Sequence, residues 1–239
     1  MKKKYCWIIV IILFGLIQNR GLAQITIPEM EEYLDRIMLN FAREGMREKT
    51  YKDVEGSPFM PKEFCEGRIQ LKDGKLFSGK LRYDMYASEM QFIVKGIVYV
   101  IAFPEDIEYI EIEDVKFIYT PYLLTPSGTD PKESYFIVLM DDDNKLLAKK
   151  EVLLLDAEPA KPYIDAKPAQ FTQKKDSYYI KKNDLPAVKI SSRKSLIGIL
   201  EDKETEVLRF IKKEKISHND PEDLKKLIEH YNSLEEIED

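Results

Sequence analysis

Arg82 and Tyr83 are the residues whose types and setting best suit the binding of a ligand. They stand among further aromatic residues in the segment LRYDMYASEMQF, residues 81–92. An arginine on a strand beside aromatic rings can present its planar guanidinium to a carboxylate or a phosphate. The candidate ligand-binding residues are therefore Arg82 and Tyr83, with Glu89 in the next predicted strand close enough to pair with Arg82. We favour the simpler alternative, an internal Arg–Glu or Arg–Asp pair across a hairpin.

The sequence offers few residues for catalysis or metal binding. Its two histidines, His218 and His230, have no histidine or cysteine neighbour at a metal-ligand spacing. Ser191 and Lys194 match the S-x-x-K form of some acyl-transferring enzymes, but no S-D-N or K-T-G segment accompanies them. No serine lies in a G-x-S-x-G segment either. We therefore predict no catalytic residue, no metal site and no cofactor.

Two acidic stretches have simpler explanations than a metal site. Residues 141–144, Asp-Asp-Asp-Asn, begin like a calcium-binding loop of the EF-hand type. Such a loop needs an acid or amide, a glycine and a glutamate where this chain has Lys145, Leu146 and Val152, so we interpret the run as a turn. The acids between residues 105 and 114 favour a solvated edge strand that resists aggregation. No pair among the 43 acids is singled out by spacing for glycoside cleavage.

Residues 1–23 predict a cleaved export signal. Lysines at positions 2–4 precede an apolar run of ten residues, IIVIILFGLI (8–17), and small residues stand at positions 21 and 23. A membrane-spanning helix needs about 20 apolar residues, which is twice this length. The sequence therefore predicts an exported protein with no transmembrane segment in the mature chain.

Export changes the charge and the thiol content of the working protein. Residues 1–23 hold four of the 37 basic residues and none of the 43 acidic ones, so the remaining 216 residues carry a net charge of −10. A chain this negative repels nucleic acid phosphates, and we expect no nucleic acid partner. Cys6 leaves with the signal. The remaining thiol, Cys65, cannot form an internal disulfide, and we expect it to be buried and inert.

Residues 24–50 predict an amphipathic N-terminal helix. Residues 26–29, Thr-Ile-Pro-Glu, match a capping box with proline at the first helical position. Apolar residues then recur at helical spacing along one face: Met30, Tyr33, Leu34, Ile37, Met38 and Phe41. We expect this face to pack on the protein's own sheet.

Residues 56–182 predict a β-rich core built from antiparallel hairpins. Turn residues alternate with β-favouring runs along this stretch. Two runs, residues 97–103 and 135–140, are apolar at every position. We therefore expect both faces of these two strands to be buried.

Residues 190–239 predict a helical tail. Ser191 or Ser192 can cap a first helix, and Asp220 can cap a later one that begins with Pro221. The order of helix, strands and helices predicts an α+β fold in a single domain, residues 24–239. Its core is a predominantly antiparallel β-sheet, either a curved sheet or a sandwich, flanked by the N-terminal helix and the helical tail.

One segment resembles a known group of proteins. Arg82-Tyr83-Asp84-Met85-Tyr86 leads into Glu89-Met90-Gln91-Phe92, and this pattern is similar to one found in a group of uncharacterised exported proteins of Gram-negative bacteria. In that group an asparagine is usual where this chain has Asp84. The resemblance covers residues 56–120 and 190–232. It implies export and a β-rich core with a helical tail, and it implies no mechanism.

These observations lead to one functional hypothesis and two alternatives. The leading hypothesis is an exported envelope protein, periplasmic or at the surface of a Gram-negative bacterium, that binds a partner protein or a small ligand without catalysis. It draws on 14 Tyr and 11 Phe, which suit contact surfaces. The alternatives are a carboxylate-dependent hydrolase of an envelope sugar or peptide, and a periplasmic lipid carrier.

Overall fold

The computed structural model of the protein describes residues 51–94, 96–163 and 165–234. The predicted export signal (1–23) and N-terminal helix (24–50) lie outside these ranges. Within them the chain forms twelve β-strands followed by three α-helices, so the β-rich core and the helical tail are confirmed. The strands are β1 (Phe59–Leu71), β2 (Leu76–Asp84), β3 (Glu89–Val94), β4 (Ile97–Val100), β5 (Ile107–Ile112), β6 (Val115–Leu123), β7 (Lys132–Met140), β8 (Asn144–Lys149), β9 (Val152–Leu155), β10 (Gln170–Gln173), β11 (Ser177–Lys182) and β12 (Ala187–Lys189). The helices are α1 (Arg193–Ile199), α2 (Glu204–Glu214) and α3 (Pro221–Ser233).

Ten of these strands form one sheet in the order β12-β11-β8-β7-β6-β5-β1-β2-β3-β4. Neighbours in this order are antiparallel, which short hairpin turns require. The end strand β12 also pairs with β6, in parallel, and sets Ala187 opposite Tyr122. This pairing closes β6, β7, β8, β11 and β12 into a small barrel. The predominantly antiparallel sheet is thus confirmed, and its closure was not predicted.

The strand β6 belongs to both the open part of the sheet and the barrel. Near its start Val115 lies opposite Ile112 of β5, and near its end Tyr122 lies opposite Ala187 of β12. Its other edge pairs with β7. Side chains alternate between the two faces of a strand. The strands β6 and β7 therefore have a large apolar core on one face and the interior of the barrel on the other.

The apolar strand β7 contributes side chains to both cores. Tyr135 and Ile137 belong to the large core, whereas Phe136 lies inside the barrel, and all three are nearly inaccessible to solvent. The prediction that both faces of residues 135–140 are buried is confirmed for these positions. The same prediction for residues 97–103 is wrong, because β4 is the end strand of the sheet and Ile97 is 56% exposed.

The interior of the barrel is filled by side chains of its own strands. Phe136 packs edge to face on Tyr179 at 4.8 Å and on Tyr122 at 5.4 Å between ring centroids. Leu147 and Ala187 complete this buried group. A barrel of five strands encloses a narrow space, and these side chains occupy it.

The acidic stretch between residues 105 and 114 does not form an edge strand. It contains β5, which lies between β1 and β6 in the sheet. Glu113 and Asp114 form the exposed turn after β5, as their residue types predict, and Glu111 pairs with Arg68 of the neighbouring β1 at 2.6 Å. The expectation of an edge strand is therefore wrong, because a charge pattern does not determine which strands pair.

Two helices of the tail begin at the capping residues expected from the sequence. Ser192 caps α1, with its Oγ accepting a bond from the Ser195 N–H at 3.1 Å. Asp220 caps α3 and accepts from the N–H groups of Glu222 and Asp223, each at 3.0 Å. The helices cover one face of β8 and β11, where they bury a group of side chains that includes Leu146, Ile180, Leu196, Leu224, Leu227 and Ile228. No helix in the described ranges has the length and apolar character needed to cross a membrane.

The strands β9 and β10 form a separate two-stranded antiparallel ribbon. Its pairing extends beyond the strands, because Glu158 and Lys167 exchange two backbone hydrogen bonds of 2.9 Å. Lys174 closes the other end by donating its N–H to the Glu151 carbonyl at 2.9 Å. Residues 151–163 and 165–174, called the arm below, thus form one long hairpin outside the ten-stranded sheet. The β-favouring run of residues 145–155 therefore forms two strands, β8 and β9.

Candidate functional site

Arg82 is a buried cation held between two aromatic rings. It is 8% exposed, and its guanidinium carbon lies 3.5 Å from the ring centroid of Phe59 and 4.1 Å from that of Phe64. Both rings come from β1, where Phe59 and Phe64 are five positions apart. In a regular strand this separation would place the two rings on opposite faces. The pairing of β1 with β2 shifts register between Met60 and Cys65, which allows both rings to reach Arg82.

The residue directly opposite Arg82 is Gln91 and not Glu89. The register of β2 with β3 pairs Arg82 with Gln91 and Asp84 with Glu89. The Nε of Arg82 donates to Oε1 of Gln91 at 2.8 Å. The structure therefore places Arg82 and Glu89 on neighbouring strands, as the sequence predicts, with Glu89 two positions along from the residue that faces Arg82.

Tyr83 lies on the opposite face of β2 from Arg82. It is 2% exposed, and its ring packs against Phe117 at 5.6 Å and Tyr135 at 5.9 Å between centroids. Burial raises the pKa of the Tyr83 phenol to about 12, a shift that the nearby Ser88 and Ser134 oppose. Tyr83 is thus a residue of the large core, and it shares no surface with Arg82.

Asp84 shapes the turn that follows the two candidate residues. Its Oδ1 accepts the N–H groups of Tyr86 at 3.0 Å and Ala87 at 2.9 Å. The side-chain oxygen of an asparagine can accept the same two bonds. This explains in physical terms how the aspartate of this chain can occupy a position where an asparagine would also fit.

A cluster of aromatic rings connects the surroundings of Arg82 to the base of the arm. Tyr51 packs edge to face on Phe59, Tyr86 and Phe171, with centroid distances of 6.1, 6.0 and 5.3 Å. Phe171 belongs to β10 and is 7% exposed. Such edge-to-face pairs contribute about 0.5–1.5 kcal/mol each beyond their burial. The cluster therefore fixes the base of the arm on the main sheet.

Charged residues anchor the same base from the side of the barrel. The Nζ of Lys149 lies 3.4 Å from Oε1 of Glu151 and 5.0 Å from the ring centroid of Tyr122, and the Lys149 side chain is 8% exposed. Burial disfavours the charge on Glu151, but Lys149 and Lys174 outweigh it and hold the pKa of Glu151 below its usual range. Burial, with Tyr122 and Glu151 nearby, raises the pKa of Tyr179. The ion pairs of Glu151 with Lys149 and Lys174 tie β8 to the arm.

Beyond its base the arm exposes apolar side chains. Leu153 and Leu155 point away from the core and are 49% and 48% exposed, and Tyr163 at the tip is fully exposed. Val152 and Phe171, on the other face, are buried in the large core. Exposed apolar side chains grouped on one element are typical of interaction surfaces.

One backbone edge of the arm is also open. Phe171 lies opposite Leu154 and directs its N–H away from β9, to the Glu55 carbonyl. The alternation along an antiparallel pair therefore turns the N–H and C=O groups of Val152 and Leu154 away from β10. In the described part of the chain no group bonds to these outward N–H and C=O groups. The outer edge of β10 differs, because Glu55 bonds to Ala169 at 2.8 Å and to Phe171 at 2.9 Å. The edge of β9 can thus accept another strand.

Cys65 and His230 are two further groups of interest for chemistry. Cys65 is half-buried, and burial together with Glu113, Glu63 and Glu66 raises the pKa of its thiol, which makes it a weak nucleophile. The ring of His230 stacks on Phe210 at 4.0 Å between centroids. Among the described residues no group of three or more His, Cys, Asp or Glu side chains is placed to hold a metal ion.

Comparisons of the chain with protein-family models, with curated proteins and with solved structures found no match. The candidate surface therefore rests on the geometry of this chain. Sequence reasoning missed the arm because residues 145–155 have a continuous β-favouring pattern. The run of Val152 and three leucines, followed by Pro159, Pro162 and Pro168, is the signal that could have indicated a separate projecting hairpin.

Proposed function

We propose that this chain is an exported, non-enzymatic binding module of a bacterial envelope and that it contacts a partner protein through the arm. The observation that carries this proposal is the combination, on one element, of an open strand edge at β9 with the exposed side chains of Leu153, Leu155 and Tyr163. Strand addition at such an edge supplies backbone hydrogen bonds, and the apolar side chains supply burial. Export is supported by the pattern of residues 1–23 and by the resemblance to exported proteins of Gram-negative bacteria.

The anchoring of the arm supports a role in binding. Aromatic packing of Phe171 and the ion pairs of Glu151 hold the base, so the apolar face keeps a fixed orientation. A rigid presentation lowers the entropy lost on association. We do not propose the surroundings of Arg82 as the binding surface, because Phe59 and Phe64 cover both faces of its guanidinium.

Site-specific photo-crosslinking in a Gram-negative producing strain tests the proposal. A photoreactive phenylalanine analogue replaces Leu155 or Tyr163 in the arm. The matched control replaces Leu185, which is 62% exposed and lies in the turn between β11 and β12. We expect a discrete protein adduct from the two arm positions and none from position 185. Equal adducts from all three positions, or none from the arm, would contradict the role of the arm.

Fractionation of the same cells tests export separately. We expect the protein in the periplasmic or surface fraction, with an N-terminus at or close to Gln24. Recovery in the cytoplasm with residues 1–23 still attached would contradict export and would leave the role of the arm to the crosslinking result.

A further inference from the structure

We infer that the partner of the arm is a second copy of this chain, joined by antiparallel pairing of the two β9 strands. This inference rests on the proposed docking role of the arm and names the occupant of its open edge. The result is a four-stranded sheet that runs through both arms, with a two-fold axis between the β9 strands. An interface of this kind is formed by the same surface on each copy and pairs the open β9 edges of both copies with each other.

The direction of the backbone groups selects one register for this pairing. Only Val152 and Leu154 of β9 present outward N–H and C=O groups, so these two residues must form the hydrogen bonds. When Val152 of one copy lies opposite Leu154 of the other, both residues of both copies are used, which gives four hydrogen bonds. Leu153 then lies on the two-fold axis and faces itself. If the register is shifted by two residues in either direction, half of these N–H and C=O groups lie opposite residues outside β9.

The same register matches the charges beside the apolar run. Asp156 directly follows β9; it is exposed and has no ion-pair partner among the described residues. Lys150 precedes β9, at the opposite end of the strand, and pairs with Asp176 at 2.7 Å. With Leu153 on the axis, Asp156 of each copy comes opposite Lys150 of the other, and no acid faces an acid along the strand. Leu155 comes opposite Glu151, whose side chain is already held by Lys149 and Lys174.

Burial of the apolar face gives the second copy an advantage over an unrelated extended peptide. Leu153 and Leu155 are each about half exposed in one copy. Pairing brings the four leucines of the dimer onto one face of the new sheet, where they cover one another. An unrelated peptide strand can complete the hydrogen bonds, but it does not bring the second pair of leucines that covers Leu153 and Leu155 in the dimer.

Disulfide trapping tests the register. The full chain carries Cys6→Ser and Cys65→Ser, and either Leu153→Cys or Leu155→Cys is added. In the proposed register the two Leu153 positions form a pair without backbone hydrogen bonds, with Cα atoms about 4.5 Å apart, which lies within the range for a disulfide. The two Leu155 positions lie about 14 Å apart, beyond that range. We expect mild oxidation to crosslink the Leu153→Cys protein into dimers and to leave the Leu155→Cys protein monomeric, whereas the reverse result or equal crosslinking would overturn the inference.

Charge at the axis gives a second test in solution. Because Leu153 faces itself, Leu153→Glu and Leu153→Lys each place like charges together, so each variant alone should sediment as a monomer while the native chain sediments as a dimer. An equimolar mixture of the two variants should restore the dimer, since Glu then faces Lys. Thermal unfolding of each variant checks that the exposed substitution leaves the fold intact. A native chain that is monomeric at every concentration, or a mixture that stays monomeric, would overturn the inference.

The outcome also separates the two levels of the proposal. A photo-adduct from the arm with the mass of two copies agrees with the dimer. An adduct of any other mass would overturn the dimer and retain the arm as a docking element. No adduct from the arm, together with a monomeric native chain, would overturn both.

Discussion

The Nε of Arg82 and the Oε1 of Gln91 meet at 2.8 Å across β2 and β3, inside a pocket formed by two phenylalanine rings. Arg82 is buried, and these contacts offset part of the cost of burying its charge. A lysine at this position keeps the charge but has no planar group to stack on both rings and to donate sideways to Gln91. We expect Arg82→Lys to lower the free energy of unfolding by about 1–3 kcal/mol, measured by urea denaturation.

Arg68→Lys is the matched control for this substitution. Arg68 also lies on the sheet and pairs with Glu111, but its side chain is 60% exposed. A surface ion pair contributes little, so we expect a change within about 0.5 kcal/mol. Equal losses in the two variants would show that the rings around Arg82 contribute nothing specific.

The glycines Gly67 and Gly79 lie directly opposite each other on β1 and β2 but have different surroundings. A Cβ on Gly67 would come within 2.5 Å of the Glu111 carbonyl oxygen and 2.7 Å of a methyl group of Leu81, whereas a Cβ on Gly79 would meet nothing within 4 Å. We expect Gly67→Ala to destabilise the protein by about 1–3 kcal/mol through overpacking. Gly79→Ala should be neutral or stabilising by up to about 1 kcal/mol, because it restricts the unfolded chain. Thermal and urea unfolding of both variants check the difference, and a larger loss at Gly79 would contradict it.

Phe136 is the residue on which the packing of the barrel depends most. It is inaccessible to solvent and contacts the rings of Tyr122 and Tyr179. We expect Phe136→Ala to cost about 3–5 kcal/mol, the range for a large aromatic side chain removed from a core. Phe103→Ala, at a site that is 43% exposed, should cost much less. Similar costs at the two sites in urea denaturation would mean that the barrel interior is loosely packed.

Local features of the fold were predictable where neighbouring residues determine them. Asp220 caps α3 because a capping side chain acts on the next two or three N–H groups. The burial of Phe136 and Ile137 on opposite faces of β7 follows from an uninterrupted apolar run. The equally apolar run at Ile97 is exposed at the sheet edge, because edge position depends on pairing between distant strands. The parallel contact of Ala187 with Tyr122 has the same nonlocal origin, and no local signal marks it.

The same distinction applies to the candidate site: what neighbouring residues determine was predictable, and what depends on strand pairing was not. The position of Arg82 among aromatic residues was predictable, but the residue directly opposite it was not, because the pairing of Asp84 with Glu89 sets the register and brings Gln91 opposite. Tyr83 was placed with Arg82 by adjacency in the sequence, and strand alternation separates the two. The arm escaped prediction because the chain leaves the sheet after Lys149 without a glycine or proline to mark the break.

The last prediction concerns how the helical tail is held on the sheet at different pH. Asp202 accepts bonds from the Tyr231 hydroxyl and from Nζ of Lys182, each at 2.5 Å. Burial disfavours the charge on Asp202, but these two donors outweigh it and hold the pKa of Asp202 below its usual value. A carboxyl whose pKa is lower in the folded state stabilises the fold above its unfolded pKa of about 3.9, and this contribution is lost as the pH falls through the folded pKa. Because the Asp202 side chain is 46% exposed and solvent screens its ion pair, we expect Asp202→Asn to cost about 0.5–1 kcal/mol at neutral pH. The cost should become progressively smaller in acid, measured by urea denaturation across this range. The exposed Asp143→Asn serves as the control, and a cost for Asp202→Asn that stays constant with pH would show that its charge does not hold the tail.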